Sequence, residues 1–501
     1  MKDKKILLAV ILTSVFLIIT GITYAYFSLV VSGNDVAETI NVSTTKIELI
    51  YTDGNEIKVD SIEPKWTTTK TITVENTGNE EAYYALGWQK LYNEIQKEEL
   101  VIRSTCTSSG VTGGTCSNTD NVVIPQTSEV TAEANKVIYP YKENVEILPG
   151  EKHTYTVTIE FINYDDKAQN YNQGKRFYGV LGAAESTKKL TISDMCQDTT
   201  LASCLKDNYE LAGLTEIDQT ATGNQNYATT EYRYQGKTPN NYITFNGETG
   251  VWRIIGVFEV ETPSADGTYT KEYKVKIVRD RIGKVAWDYK TSSSYKNDWT
   301  TSTLMTMLNT GPYYNRTSGY TKLACSTRYD TTISETAICN YESNGLTDNA
   351  KNQISSTKWY LGNVVYNSGY GTTKEIYAQE RSTSVHSGNS QTWDGKVALI
   401  YPSDYMYASS SCYNNGTKGN VYNDSTCTST NWLLDISNWF WTVSPSSHNS
   451  SRVMNVNFSG YVANDFTTSS SSGGLRQSVY LDSSVKYIGG DGTAKKAFEI
   501  E

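Results

Sequence analysis

The stretch "HTYTVTIEF", residues 153–161, alternates strictly: Tyr155, Val157, Ile159 and Phe161 are apolar, and Thr or Glu stands between them. A period of two sends every second side chain to the same side of an extended chain, so this segment reads as a half-buried antiparallel strand. The pattern recurs in "KIELIY" with Ile47, Leu49 and Tyr51, and in "KTITVEN" with Ile72 and Val74. The joints "ENTGNEE" and "LPGEKH" carry Gly78 and Gly150, residues suited to tight turns. With no long amphipathic helix among these strands, residues 26–187 are expected to form an antiparallel β-sandwich.

A chain of 501 residues is too long for one ordinary core, which calls for at least a second domain. The hydrophobic fraction of 38% is low, but 38 tyrosines add large apolar area with a polar tip. The net charge of -10 is spread along the chain, and Lys and Arg do not cluster beyond the first five residues. Phosphate-backbone binding lacks its electrostatic footprint, and nucleic acid is excluded as a partner.

The eight cysteines fall into neighbouring pairs: Cys106 with Cys116, Cys196 with Cys204, Cys325 with Cys339, and Cys412 with Cys427. There is no C-x-x-C, and the three histidines, His153, His386 and His448, are far apart, so zinc-ligand spacing is missing and no metal or other cofactor is expected. Local disulfides fit the spacing. Each would stabilise its loop by roughly 2–3 kcal/mol in an oxidising, extracellular setting.

The N-terminus agrees with export. Lys2, Lys4 and Lys5 precede an apolar run from Ile6 to Thr20, and Thr23-Tyr24-Ala25 ends in a small residue suited to a signal peptidase. Uncut, Ile6 to Val31 is long enough to span a bilayer as a helix with its basic end inside. Residues 1–25 are therefore a signal peptide or a membrane anchor, and the rest lies outside the cell in either case. "TYAYFS" followed by "LVVSGNDVAETINVSTTKIELIY" resembles the start of the TasA/camelysin family of bacterial biofilm-fibre proteins, over roughly residues 15 to 185. The resemblance implies an extracellular β-sandwich. The protease activity described for camelysins is not carried over, because no His-x-x-x-His constellation is present. Tyr26 to Ser32, "YFSLVVS", reads first as the opening strand of its own sandwich or the end of an uncut membrane helix, because edge pairing is usually suppressed; the alternative is self-association, with the segment added as a strand to a neighbour's sheet edge.

Residues 188–238 read as a connector, with short helical pieces around Cys196 and Cys204 and then a polar stretch. From 239 to 501 a second domain begins. "VWRIIGVF" and "YKVKIVRD" form a hairpin, and "NDWTTSTLMTMLNTGP" sets Leu304, Met307 and Leu308 at helical spacing before a Gly311-Pro312 stop. A Tyr/Ser/Asn-rich stretch follows, with a short helix near "NQISSTKWYLGN", and then strands at "KVALIYP", "WFWTVSP", "VMNVNF" and "SVYLDSSV". This ordered set, with "NWLLDISNWFWTVSPS" and "GGLRQSVYL", resembles bacterial surface domains related to the C-type-lectin-like fold and to formylglycine-generating enzymes, over about residues 228 to 500. It implies an α+β module with long loops, used for display and ligand binding. Where that family ends in Gly-Val-Arg-Pro, this chain has Gly474-Leu475-Arg476-Gln477.

Alternation along "WFWTVSP" sends Trp439, Trp441 and Val443 to one face, a core layer in which each indole buries on the order of 200 Å². Trp432 and Phe440 lie at the loop end and are, with Arg476, the candidate ligand-binding residues; Arg476 also suits a clamp on backbone turns. Asp404, Asn423 and Asp424 are too sparse for a calcium site. No nucleophile elbow, phosphate loop or metalloprotease helix is present. The reading is a mainly β, non-catalytic, exported cell-surface or matrix protein whose sandwich carries a lectin-like module for a glycan or a surface protein. The alternatives are a carbohydrate-active hydrolase with an unrecognised acidic pair and a purely structural fibre subunit.

Overall fold

The computed structural model describes residues 29–31, 38–40, 49–53, 57–59, 64–164, 166–172, 174–220, 229–288, 296–318, 325–326, 339–365, 372–414, 425–435, 439–467 and 473–501. They form two compact units, one ending at Lys189 and one beginning at Leu190. Both are mainly β, and nearly all pairings among the described strands are antiparallel.

In the first unit the strand Lys152–Phe161 is central. It pairs along its length with Thr67–Asn76 on one side and Leu100–Ser109 on the other. Leu49–Asp53 with Glu38–Ile40, and Thr119–Val123, extend this six-stranded sheet outward. A second six-stranded sheet is built on Ala82–Asn93, flanked by Ile138–Ile147 and Phe177–Glu185. The apolar positions of the alternating segments face one shared core: Tyr155, Val157, Ile159, Ile72 and Val74 from the first sheet pack with Tyr84, Leu86, Trp88 and Leu181 from the second. Burying such side chains contributes roughly 1.5–3 kcal/mol each, which is what orders a sequence this rich in Ser, Thr and Asn. Ile47 lies outside the described residues. Of the segment Tyr26 to Ser32, Leu29–Val31 is described: it pairs parallel with Phe177–Gly179 and antiparallel with Ile57–Val59, within its own sheet.

The second unit holds a seven-stranded sheet. Its long hairpin, Glu248–Pro263 with Tyr269–Arg279, is the one expected from "VWRIIGVF" and "YKVKIVRD". The register slips at Gly256, where a Cβ would stand 2.2 Å from the Tyr232 carbonyl oxygen, so only glycine lets the neighbouring strand Thr230–Tyr234 approach. A six-stranded sheet contains Phe440–Pro445, Arg452–Val456 and Val462–Phe466. Helix Thr303–Asn309 is capped by the Ser302 side chain and buries Leu304, Met307 and Leu308.

Four placements differ from the sequence reading. Residues 190–220 and 229–238, read as a connector, carry helices Ile192–Met195 and Leu201–Asp207 and strands Leu214–Asp218 and Thr230–Tyr234 of the second unit. Isolated polar stretches of this kind look like linkers, but here Leu201, Leu205 and Ile217 anchor them. The helix does end ahead of Gly311-Pro312, at Asn309, but the stretch after it does not start irregular: Gly311 caps a further turn, Pro312–Asn315, whose first position suits proline. In "NQISSTKWYLGN" the helix Asp348–Asn352 stops early, and Thr357–Tyr360 is a strand paired with Thr392–Gly395. Finally, both faces of Phe440–Pro445 are covered, so alternation there separates two buried sides rather than core from solvent.

Candidate functional site

Trp441 is fully buried and donates its indole N–H to the Val285 carbonyl at 2.8 Å, while Trp439 packs edge-on against it. Trp432, Phe440 and Arg476 are buried too. The Trp432 indole donates to the Tyr234 carbonyl at 2.9 Å, and its face lies against the Arg253 guanidinium. Arg476 donates to the carbonyls of Leu433 at 2.7 Å and Arg279 at 3.3 Å, and its guanidinium lies over Phe440. The three side chains are brought to one joint that holds a loop against two strands; the polar atoms of Trp432 and Arg476 go to backbone carbonyls, and Arg476 also pairs with Asp280 at 3.7 Å. Among the described cysteines none is free: Cys106–Cys116, Cys196–Cys204 and Cys412–Cys427 are joined, and Cys339 is disulfide-bonded. The side chain of Cys325 lies outside those described, as do Asn423 and Asp424. The disulfides fit an oxidising compartment. Among the described residues no helix is long and apolar enough to cross a membrane; residues 1–25 lie outside them.

A buried ionic network in the second unit escaped the sequence reading. Asp404 accepts from Lys276 Nζ at 2.6 Å, from Arg233 Nη1 at 3.0 Å and from the Tyr401 backbone N–H at 2.9 Å. Glu231 accepts from Arg233 Nε and from the Tyr377 hydroxyl, each at 2.7 Å. Glu380 accepts from Arg381 and from both the backbone and the hydroxyl of Ser403. The Lys276 ammonium is ringed by Trp359, Tyr401 and Tyr480. Burial pushes Lys276 down to about 8 against the pull of Asp404, and pushes Glu380 up to about 7. Burial would raise Asp404, but Lys276 and Arg233 outweigh it and hold the carboxyl below its usual range. Three carboxylates face three cations, and the cavity beside them is about 20 Å³, room for about one water. Such an enclosed, mutually satisfied set fixes strand and helix positions; it offers no substrate-sized space. "YKVKIVRD" held the one signal, lysines alternating with apolar residues on a strand whose two faces are both covered.

The larger opening is in the first unit, a cleft of about 650 Å³. Its floor includes the buried Trp88, Ile102 and Ile124, and its rim Lys97, Glu98 and Gln126. It forms where Ile138–Ile147 leaves regular pairing with Ala82–Asn93, with register shifts on both sides of Lys142. Gly87 permits that detour, since a Cβ there would meet Pro140 Cα at 2.9 Å. Tyr139 lines the cleft with 43% of its surface exposed and a φ of 45°, a left-handed conformation that a bulky residue adopts only under strain. Lys97 and Glu98 on the rim are left-handed as well, at 60° and 58°. Tyr141, also lining the cleft, has a buried hydroxyl with no hydrogen-bond partner.

Beneath the Cys106–Cys116 disulfide of the same unit runs a chain of buried polar groups. Glu151 Oε1 lies 2.8 Å from His153 Nε2, His153 Nδ1 lies 2.7 Å from the Tyr84 hydroxyl, and that hydroxyl lies 2.6 Å from the one of Tyr155. Burial pushes the His153 imidazole below its ordinary value, so it is neutral at pH 7. Burial alone would raise Glu151, yet hydrogen bonds from Ser108, Leu148, His153 and Thr115 hold it at about 2. No protein-family model, curated protein or solved structure matches this chain.

Proposed function

We propose that the chain is an exported surface or matrix protein that binds a glycan without catalysis, through the cleft of its first unit. The observation that carries this reading is Tyr139, a large exposed ring kept in a strained backbone conformation at the mouth of a 650 Å³ cleft. Strained backbone of this kind clusters at functional sites. The volume is in the range of small-ligand sites. An exposed phenol ring suits the apolar face of a sugar, while the exposed Glu98, Lys97 and Gln126 supply polar groups for its hydroxyls.

In this reading the two sheets of the first unit form the β-sandwich of a TasA/camelysin-like stalk. The second unit is a C-type-lectin-like module held rigid by its ionic network. A glycan array probed with the intact chain tests the proposal: binding to a defined glycan class that falls at least about tenfold in Tyr139→Ala supports it. No glycan bound, or equal binding by the variant, overturns it.

A further inference from the structure

Cys106 and Cys116 are the accessible members of the described disulfides. Both are half-buried, whereas Cys196, Cys204, Cys339, Cys412 and Cys427 are all buried. Exposure makes a disulfide the one that a thiol reaches first. What lies under this one is a third metal-binding side chain: the two sulfurs and a ring nitrogen of His153 are all within 4.8 Å of one another.

We propose that the Cys106–Cys116 disulfide is the closed form of a redox-gated metal site, which after reduction binds one zinc ion through Cys106, Cys116 and His153. The reductant is a dithiol. It transfers two electrons and two protons, the Cys106–Cys116 sulfur–sulfur bond breaks, and the dithiol leaves as its own disulfide. Binding then releases the two thiol protons to solvent and leaves two thiolates on the ion. Two sulfurs and one imidazole are a ligand set that zinc takes readily, with a fourth position left for water.

The imidazole is positioned for this role before any metal arrives. Its ring is fully buried and held from both sides, by Tyr84 at Nδ1 and by Glu151 and Thr115 at Nε2. Nε2 is the nitrogen beside Thr115, the chain neighbour of Cys116, and is the one assigned to the metal. In the closed form the ionised Glu151 accepts the Nε2 proton. On metal binding that proton moves to Nδ1, where Tyr84 becomes the acceptor by turning its own hydroxyl toward Tyr155 at 2.6 Å. Nε2 is then free to ligate, with the Glu151 carboxylate beside the cation. Tyr84 is a positioning residue of the kind that orients a metal-bound histidine from behind.

The test uses the intact chain and cobalt(II) as the spectroscopic stand-in for zinc. Mild anaerobic treatment with a dithiol is expected to make two cysteines alkylatable, Cys106 and Cys116. The reduced chain should then take up one cobalt ion with sulfur-to-metal charge-transfer bands that zinc abolishes, while the untreated chain takes up none. Cys106→Ser/Cys116→Ser should lose the bands, and Tyr84→Phe should weaken binding about 10–100-fold with unchanged circular dichroism. Reduced protein with both thiols free and no charge-transfer band overturns the proposal, as do bands that survive in the double serine variant. The cleft takes no part in either result.

Discussion

Lys276 Nζ lies 2.6 Å from Asp404 Oδ2, and both side chains are sealed from water inside the second unit. Asp404 also holds Arg233, whereas the Lys276 ammonium has the rings of Trp359, Tyr401 and Tyr480 around it. The two partners are therefore unequal. Asp404→Asn leaves two cations without their shared counter-charge and is expected to cost about 3–5 kcal/mol. Lys276→Met leaves Asp404 paired with Arg233 and puts an apolar chain among aromatic rings, so it should cost clearly less. Denaturant unfolding of the two variants checks the order, and equal losses would contradict it.

Glu151 gives the first unit an acid limit. Its carboxyl titrates at about 2 in the folded chain against an ordinary value of 4.5. Between those values the unfolded state binds more protons, so the stability it provides is complete above about 4.5 and is lost as pH falls toward 2. The loss is on the order of 3 kcal/mol. Glu151→Gln should flatten the acid limb of a stability-versus-pH curve, and an unchanged limb would remove Glu151 as its cause.

Tyr139 separates binding from folding. Tyr139→Gly relieves the left-handed strain and should leave stability unchanged or raised by about 1 kcal/mol. Glycan binding should nevertheless fall at least about tenfold. Thermal unfolding and glycan titration on the same sample read both effects, and a variant that binds normally would remove the ring from the site.

Gly256→Ala should damage the second unit. Its Cβ would meet the Tyr232 carbonyl oxygen at 2.2 Å, backbone against backbone, so the strand Thr230–Tyr234 must move. The expected cost is about 1–3 kcal/mol by chemical denaturation. Wild-type stability in this variant would mean that the strand has slack the close approach does not suggest.

The strands were the most legible part. Tyr155, Val157, Ile159 and Phe161 carry a period that only a one-sided strand satisfies, and they are buried as that period requires. The hairpin across Glu248–Pro263 and Tyr269–Arg279 and the helix containing Leu304, Met307 and Leu308 were readable for the same reason: each depends on contacts within a few residues or on one turn. Cysteine spacing likewise pointed to Cys106–Cys116, Cys196–Cys204 and Cys412–Cys427, because short loops leave few ways to pair.

The sites were not readable in that way. Whether Phe440 faces a groove or a core depends on what covers the second face of its strand, and Lys276 meets Asp404 across 128 residues. His153 gained a meaning only when the neighbouring strand set Cys106 beside Tyr155 and the loop returned Cys116 above it. Local alternation determined by itself which segments are strands and which of their residues seek burial, since side-chain direction follows from backbone geometry alone. The tertiary structure decided which polar groups share a dry space, because that depends on distances between segments that no local period encodes.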